Sequence, residues 1–176
     1  MMKNKQKSFT LTEVLIYIAV LAIVVSIVFS FFLWVTRANT KTKAMREVLD
    51  NARRAMEIMT YEIKEAKSIY TPTSTFDSHP GQLSLETKKY LPEGETTSYI
   101  DFYLCGVQLC FKKESQNPIT LTSDRVEVSN LMFSRIVTSG IPSIQISLEI
   151  NYKNPTGRPE YQASITSTST ASLRSY

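Results

Sequence analysis

An uncharged apolar segment near the N-terminus constrains this 176-residue chain more than any other feature. Residues 14–35 are 22 consecutive positions without a charge, a proline or a glycine. At about 1.5 Å per residue, such a helix is roughly 33 Å long, and a hydrocarbon core is roughly 30 Å thick. The run is longer than a signal-peptide h-region, and no small-residue cleavage site follows it. We therefore predict a retained, single-pass transmembrane helix over residues 9–35.

A single carboxylate, Glu13, stands at the entrance of this apolar segment. An ionisable side chain within a membrane span is costly, and such residues usually pair with another charge or mark a functional site. The alternative is that Glu13 lies in the headgroup region, where water solvates it. The residue alone leaves both interpretations open.

The residues around Glu13 resemble the prepilin-type cleavage and methylation motif of type IV pilins and of the pseudopilins of type II secretion systems. Three lysines within the first seven residues precede Ser8 and Phe9, and Glu13 is the fifth residue counted from Phe9. Ser8 stands where this family usually has glycine, and Thr12 stands where it usually has an apolar residue. The resemblance implies cleavage between Ser8 and Phe9 by a membrane aspartyl prepilin peptidase, followed by N-methylation of Phe9.

The same resemblance implies an assembly role for Glu13. In that family, the glutamate of an incoming subunit pairs with the N-terminal amine of a subunit already in the filament, which sets the axial register. In this chain the amine would be that of Phe9, because cleavage frees it and an α-amino group is largely protonated near neutral pH.

The basic character of the chain resides mostly in the leader, residues 1–8. Removal of its lysines lowers the formal net charge from +4 to +1, since the leader contains no acid. Nucleic-acid binding requires basic residues clustered on one face. The charge therefore does not directly indicate a nucleic-acid partner.

The helix is predicted to continue beyond the membrane, over residues 36–67, because neither glycine nor proline occurs between Phe9 and Thr71. Apolar residues recur there at alternating steps of four and three, which predicts one buried stripe. The stripe is expected to pack onto the protein's own β-sheet, although a coiled coil would also explain it. Charged residues off the stripe, Glu62 among them, are expected to be solvated. The predicted stripe consists of Met45, Leu49, Ala52, Met56, Met59, Ile63 and Ala66.

Residues 68–176 are predicted to form a β-rich globular head. A loop rich in Pro, Ser and Thr opens this region, and short alternating runs separated by turns follow it. The predicted fold class is α+β, a pilin-like long N-terminal helix packed on an antiparallel β-sheet head. The predicted strands cover residues 82–87, 97–104, 119–121, 126–137, 141–152 and 161–173.

Two cysteines, Cys105 and Cys110, bracket a predicted hairpin turn in the head. In an exported domain a pair at this spacing favours a disulfide. Two buried thiols or a partial metal site are the alternatives. A zinc site with four ligands is not supported, because the chain has one histidine, His79, and no second cysteine pair.

No catalytic motif accompanies these features. A Ser-His-Asp or Cys-His arrangement would have to use His79, which lies in a loop without a supporting motif. The five glycines are not clustered into a phosphate-binding loop, and no spaced run of calcium ligands occurs. We therefore predict no cofactor, no metal site and no enzymatic activity.

Together these features favour a minor pilin or pseudopilin, a structural subunit of a type IV pilus or a type II secretion-like filament, which is expected to act in its tip or initiation complex. Expected partners are the membrane, the prepilin peptidase, other subunits that pack through the N-terminal helix, and an inner-membrane assembly platform. The N-terminus is expected inside and the head outside the cytoplasmic membrane. Two alternatives remain open, a single-pass anchored β-domain that binds a partner or ligand, and an anchored secretion-dependent enzyme.

Overall fold

A single α-helix of 55 residues, α1 (Leu11–Glu65), precedes eight β-strands in the computed structural model, which describes residues 10–138 and 141–174. Its uninterrupted length follows from the absence of glycine and proline throughout the segment. Two single turns of 3₁₀-helix also occur, at Thr71–Thr73 and Pro159–Tyr161. The strands are β1 (Ser68–Ile69), β2 (Leu83–Thr87), β3 (Ser98–Cys105), β4 (Gln108–Lys113), β5 (Ile119–Thr120), β6 (Val126–Thr138), β7 (Ile141–Tyr152) and β8 (Ser164–Ser172).

The strands form two antiparallel sheets, one of five strands in the order β1-β2-β3-β4-β5 and one of three in the order β6-β7-β8. The predicted α+β class is confirmed. The division into two sheets was not predicted. It occurs where the chain leaves β5 for the helix, because Ser123 donates its N–H to Asn51 Oδ1 at 2.8 Å instead of continuing a strand ladder.

The chain divides into two compact units, one up to Thr40 and one from Lys41 onward. In the second unit, one face of α1 and the apolar faces of both sheets share a single hydrophobic core. Strict alternation along β7 supplies Ile144, Ile146, Leu148 and Ile150 to this core, all fully buried. The division falls inside α1 because the helix residues from Ala44 onward already belong to the head's core.

The buried stripe of α1 differs from the prediction at its beginning. Met45 and Leu49 are 46% and 47% exposed, whereas their neighbours Ala44 and Val48 are buried. A straight α-helix has 3.6 residues per turn, so a strict seven-residue repeat drifts by about 20° per heptad. The later members of the predicted stripe are buried as predicted, namely Ala52, Met56, Met59, Ile63 and Ala66.

The carboxylate of Glu62 is buried, and the prediction that it is solvated is wrong. The residue is 5% exposed because the connection between β2 and β3 folds over this part of α1. From that connection, the Tyr90 hydroxyl donates to Glu62 Oε1 at 3.1 Å. Burial, together with the negative charge of Glu62, raises the pKa of the Tyr90 hydroxyl.

A tight hairpin joins β3 to β4 and contains both cysteines. Cys105 lies opposite Gln108, which leaves a two-residue turn at Gly106 and Val107, and Gly106 has a φ of 65°. Glycine adopts this left-handed conformation without steric cost. A disulfide joins Cys105 to Cys110 diagonally across the hairpin, with the Cα atoms 5.8 Å apart.

The position of the buried stripe can be tested with a matched pair of variants. Met59→Ala removes a fully buried side chain and should lower the free energy of unfolding of the head by about 2–5 kcal/mol. Met45→Ala, at a position 46% exposed, should stay within about 0.5 kcal/mol of the wild type. Denaturant unfolding of the full chain in detergent, followed by circular dichroism, measures both. Equal losses would contradict this assignment of the helix face.

The disulfide is predicted to stabilise the head by closing a six-residue loop. The double variant Cys105→Ala/Cys110→Ala should lose about 2 kcal/mol of unfolding free energy, because the unfolded chain regains loop freedom. A reducing agent should cause a comparable loss in the wild type and none in the double variant. A wild type whose stability is insensitive to reduction would contradict the prediction.

Candidate functional site

The N-terminal end of α1 is closed by Thr10, the residue before the first helical position. The N–H of Glu13 donates both to the carbonyl oxygen of Thr10, at 3.1 Å, and to its Oγ1, at 3.3 Å. Threonine followed three residues later by glutamate is the spacing of a capping box, and an acid in the first turn also complements the helix dipole. The negative charge of Glu13 therefore favours the start of the helix through the dipole, while its carboxylate accepts a hydrogen bond from Tyr17. This signal is visible in the sequence but was not part of the prediction.

The carboxylate of Glu13 lies half-buried against the next turn of its own helix. The Tyr17 hydroxyl donates to Glu13 Oε1 at 3.3 Å, and the two residues are one turn apart. Among the residues that the structure describes, no cationic side chain forms an ion pair with Glu13. The role of Tyr17 was not predicted, although its i+4 spacing from Glu13 is visible in the sequence.

The helix that follows Glu13 presents apolar side chains around its whole circumference. The large apolar residues between Leu11 and Trp34 are all between 40% and 84% exposed. Within the described residues, α1 is the one helix long and apolar enough to cross a membrane, and its most apolar 18-residue window has a mean hydropathy of 2.9 with none of it buried. A helix that is apolar all round belongs in lipid or among other apolar helices.

The hydroxyl groups within this segment are satisfied by the helix itself. Ser26 Oγ donates to the carbonyl of Ala22 at 2.8 Å, and Ser30 Oγ donates to that of Ser26 at 2.9 Å. Such bonds to the preceding turn leave no hydroxyl without a partner in a medium that offers no water. The serines therefore do not interrupt the apolar surface, and Glu13 stands out as its charged group.

The predicted processing residues, Ser8 and Phe9, lie outside the described residues, so the cleavage and methylation sites stay predictions. Cys105 and Cys110 lie in the head, on the β3–β4 hairpin, and form a separate feature from Glu13.

His79, the one histidine of the chain, has a structural contact. Its Nδ1 accepts a hydrogen bond from the N–H of Leu131, on β6, at 3.0 Å. Across residues 10–138 and 141–174, no group of three or more His, Cys, Asp or Glu side chains is arranged to hold a metal ion.

A cleft of the head, of about 560 Å³, lies at the C-terminal end of α1. The carboxylate of Glu65, the last residue of the helix, forms ion pairs with Lys89 Nζ at 3.3 Å and with Arg174 Nη1 at 2.9 Å. Cations at a helix C-terminus also complement its dipole. A hydrogen bond from Lys67 lowers the pKa of Glu86 nearby. These cations thus interact with acids of the head, and their presence alone does not indicate an anionic ligand. The cleft is lined by Glu65, Lys67, Lys88, Lys89 and Arg174.

Comparison with known proteins bears on the N-terminal end of the chain. Residues 3–29 match the family model of the prokaryotic N-terminal methylation motif. Neither the curated proteins nor the solved structures gave a match. The matched residues contain the predicted cleavage site, Glu13 and most of the apolar segment. They coincide with the end of the molecule where the structure shows a capped, exposed apolar helix. The chain therefore carries the type IV pilin-like N-terminal signature.

Proposed function

We propose that this chain is a structural subunit, a pilin or pseudopilin of a type IV pilus or a type II secretion-like filament, and not an enzyme. The observation that carries the proposal is Glu13, a carboxylate without a cationic partner among the described residues, at the start of an exposed apolar helix. The methylation motif at residues 3–29 supports it, because proteins with that motif serve as structural subunits.

Processing comes first in the proposed sequence of events. A prepilin peptidase cleaves the peptide bond between Ser8 and Phe9 and releases the basic leader. Methylation of the new amine leaves it basic, so that Phe9 carries a positive charge at the end of an otherwise apolar segment. At the N-terminal end of α1, each mature subunit then carries a positive charge on the Phe9 amine and a negative charge on the Glu13 carboxylate.

Assembly follows from the cost of these charges away from water. A buried charge is tolerated when an opposite charge and hydrogen bonds compensate it, and removal of one partner is strongly unfavourable. The Glu13 carboxylate of an entering subunit pairs with the Phe9 amine of its neighbour, which determines how far one helix is displaced along the other. Tyr17 supports this pairing, because its hydroxyl bond restrains the carboxylate and satisfies one of its oxygens.

The remaining surface of the helix makes apolar contacts with other helices, and these contacts do not define a specific axial register. Its apolar side chains exchange contact with lipid for contact with the helices of other subunits. We further propose that the N-terminus lies inside and the head outside the cytoplasmic membrane, before extraction by an inner-membrane assembly platform. The disulfide of the head supports this orientation, because disulfides persist in oxidising compartments. Within the filament, we propose that the chain is a minor subunit of the tip complex.

The processing step makes a direct prediction about the mature protein. Mass spectrometry of the chain purified from its own membrane should find Phe9 as the first residue, with one methyl group on its amine. Ser8→Gly should be cleaved at least as completely as the wild type, whereas Ser8→Leu should retain the leader. A functional protein that still begins at Met1 would contradict the proposal.

The pairing role of Glu13 separates a filament subunit from an anchored domain. Glu13→Gln keeps the size of the side chain and removes its charge, and it should lower the amount of sheared surface filament by about tenfold or more, as expected for a loss of at least about 1.4 kcal/mol. Tyr17→Phe should cause a smaller loss. Both variants should still be cleaved after Ser8.

The control for this experiment is Glu57→Ala, which removes an exposed carboxylate from the head portion of α1. It should leave filament yield within about twofold of the wild type, as for most surface substitutions. If Glu13→Gln also assembles normally, the chain is better described as an anchored β-domain that binds a partner.

A further inference from the structure

The hydrogen-bond pattern of β8 determines which of its backbone groups face away from the sheet. At one end, the N–H of Tyr152 donates to the carbonyl of Ala163 at 2.8 Å, and at the other, the N–H of Leu173 donates to that of Pro142 at 3.2 Å. Hydrogen-bonded pairs alternate along an antiparallel ladder. The odd-numbered residues from 163 to 173 therefore bond to β7, and the even-numbered ones direct N–H and C=O outward. These outward residues are Ser164, Thr166, Thr168, Thr170 and Ser172.

No other backbone of the described residues pairs with these outward groups. β8 is the last strand of the three-stranded sheet, and the five outward residues are exposed. Edge strands are normally protected by charged side chains, proline, bulges or short length. β8 has nine residues, no charge and no proline, and its register with β7 is unbroken.

The opposite edge of the same sheet, formed by β6, is covered by a loop. An unpaired strand edge is therefore not a general property of this head. The N–H groups of Gly81 and Asp77 donate to the carbonyls of Leu131 and Phe133 on β6, each at 2.9 Å. His79 Nδ1 accepts from the N–H of Leu131 at 3.0 Å. A Cβ at Gly81 would lie 3.0 Å from the Leu131 carbonyl oxygen, so glycine permits this close approach. One edge is thus closed by a loop, and β8 is left open.

We propose that β8 is a docking edge on which an extended strand of another polypeptide adds to the three-stranded sheet. Five donors and five acceptors, repeated at every second residue, match an extended backbone and neither a helix nor a small ligand. The partner strand has at least five residues, lacks proline, and carries uncharged, small or β-branched side chains opposite the Ser and Thr residues of β8.

The β8 strand of a second copy does not fit the edge. Ser123, just before β6, contacts Asn51, and the N–H of Arg174, just after β8, donates to the carbonyl of Lys64 at 3.2 Å. β8 therefore runs along α1 in the same direction. Antiparallel pairing of two β8 strands would place the Lys41 ends of the two heads at opposite ends of the combined sheet. Two copies anchored in one membrane cannot both reach it in that arrangement.

Symmetric parallel pairing of two β8 strands is excluded by the two-fold axis. In a parallel ladder, a residue with outward groups lies opposite a residue whose groups face the other way. A two-fold axis along the strands would place each residue opposite itself, so that Thr168 faces Thr168 and the ladder cannot form. With pairing of β8 to β8 excluded, a strand of a different polypeptide is the occupant that we propose. This inference uses the head and its anchoring, and it is independent of the pairing of Glu13.

The probe for the test is a synthetic peptide with the sequence of residues 163–173, acetylated and amidated. Read antiparallel against β8, it places Ser164 opposite Ser172, Thr166 opposite Thr170, and Thr168 opposite itself, so that like side chains meet. The peptide has no α1, and so the obstacle that excludes a second full copy does not apply to it.

Residue-resolved amide exchange of the isotope-labelled full chain in detergent micelles is the measurement. In the free chain, the even-numbered amides from 164 to 172 should exchange fast and the odd-numbered ones slowly. Saturating peptide should slow the even-numbered amides by about tenfold or more, as each gains a hydrogen bond, and leave the odd-numbered ones unchanged.

Two matched controls locate the binding on the backbone. Thr168→Pro removes an outward N–H without removing a bond to β7, so that it should preserve exchange protection at the odd-numbered residues and abolish the peptide effect. Thr96→Pro, in an exposed loop, should leave the peptide effect intact. On the peptide side, N-methylation of the residue matching Thr168 should abolish binding, whereas N-methylation of the residue matching Ser169 should not. The peptide pair decides the question even if Thr168→Pro fails to fold.

Three outcomes would overturn the proposal. Slow exchange of the even-numbered amides in the free chain would show that the edge is already closed. Protection that rises with the concentration of the chain alone would make a second copy the occupant. Binding that ignores the position of the N-methyl group would show that the peptide does not add to the sheet. None of these outcomes would alter the expected effect of Glu13→Gln on filament yield, so the two proposals fail separately.

Discussion

The charge of Glu13, which has no cationic partner among the described residues and lies at the start of a helix that is apolar on every side, is the constraint on which the rest of this molecule depends. Transfer of each large apolar side chain of the segment out of water is favourable by about 1.5–3 kcal/mol. The segment as a whole therefore strongly favours contact with lipid or with other helices. A carboxylate that enters the same environment without a cation opposes that transfer. In the assembly that we propose, the released amine of a neighbouring Phe9 supplies the compensating charge.

The same helix meets a different requirement after Thr40. From Ala44 onward only one face is apolar, and it is buried against the head's own sheets. The other face carries charges that suit water. One continuous secondary-structure element thus serves two environments, because the pattern of its side chains changes while its backbone does not. The two compact units into which the chain divides correspond to these two patterns.

Sequence patterns predicted those parts of the structure that depend on local signals. The helix was predicted because no breaker occurs in it, and β7 was predicted with its exact bounds because its alternation is strict. Features that depend on tertiary contacts were missed. Glu62 is buried by a connection that is distant in sequence. The strands separate into two sheets near Ser123, where the backbone N–H donates to the side chain of Asn51 on α1 instead of to a neighbouring strand.

Predictions for the candidate site show the same limit. Glu13 was identifiable because its chemistry conflicts with its neighbours in the sequence. Tyr17 was not identified, although its spacing was visible, because an i+4 tyrosine in an apolar run is ordinary until the carboxylate is seen to accept its hydroxyl. The Met45 and Leu49 positions were assigned to the wrong face because a heptad template was applied to a helix whose own period is longer.

A filament subunit also needs orientation and partner identity, which an apolar helix cannot provide by itself. Helices covered with aliphatic side chains pack in many rotations, and one ion pair such as Glu13 with Phe9 determines displacement along the axis but not rotation about it. Directional contacts must therefore come from the head. Backbone groups along β8 are directional, and their spacing accepts an extended strand in a small number of registers. In the docking that we propose, the two sheet edges, one closed by the loop around His79 and one open, provide the asymmetry by which the head distinguishes one neighbour from another.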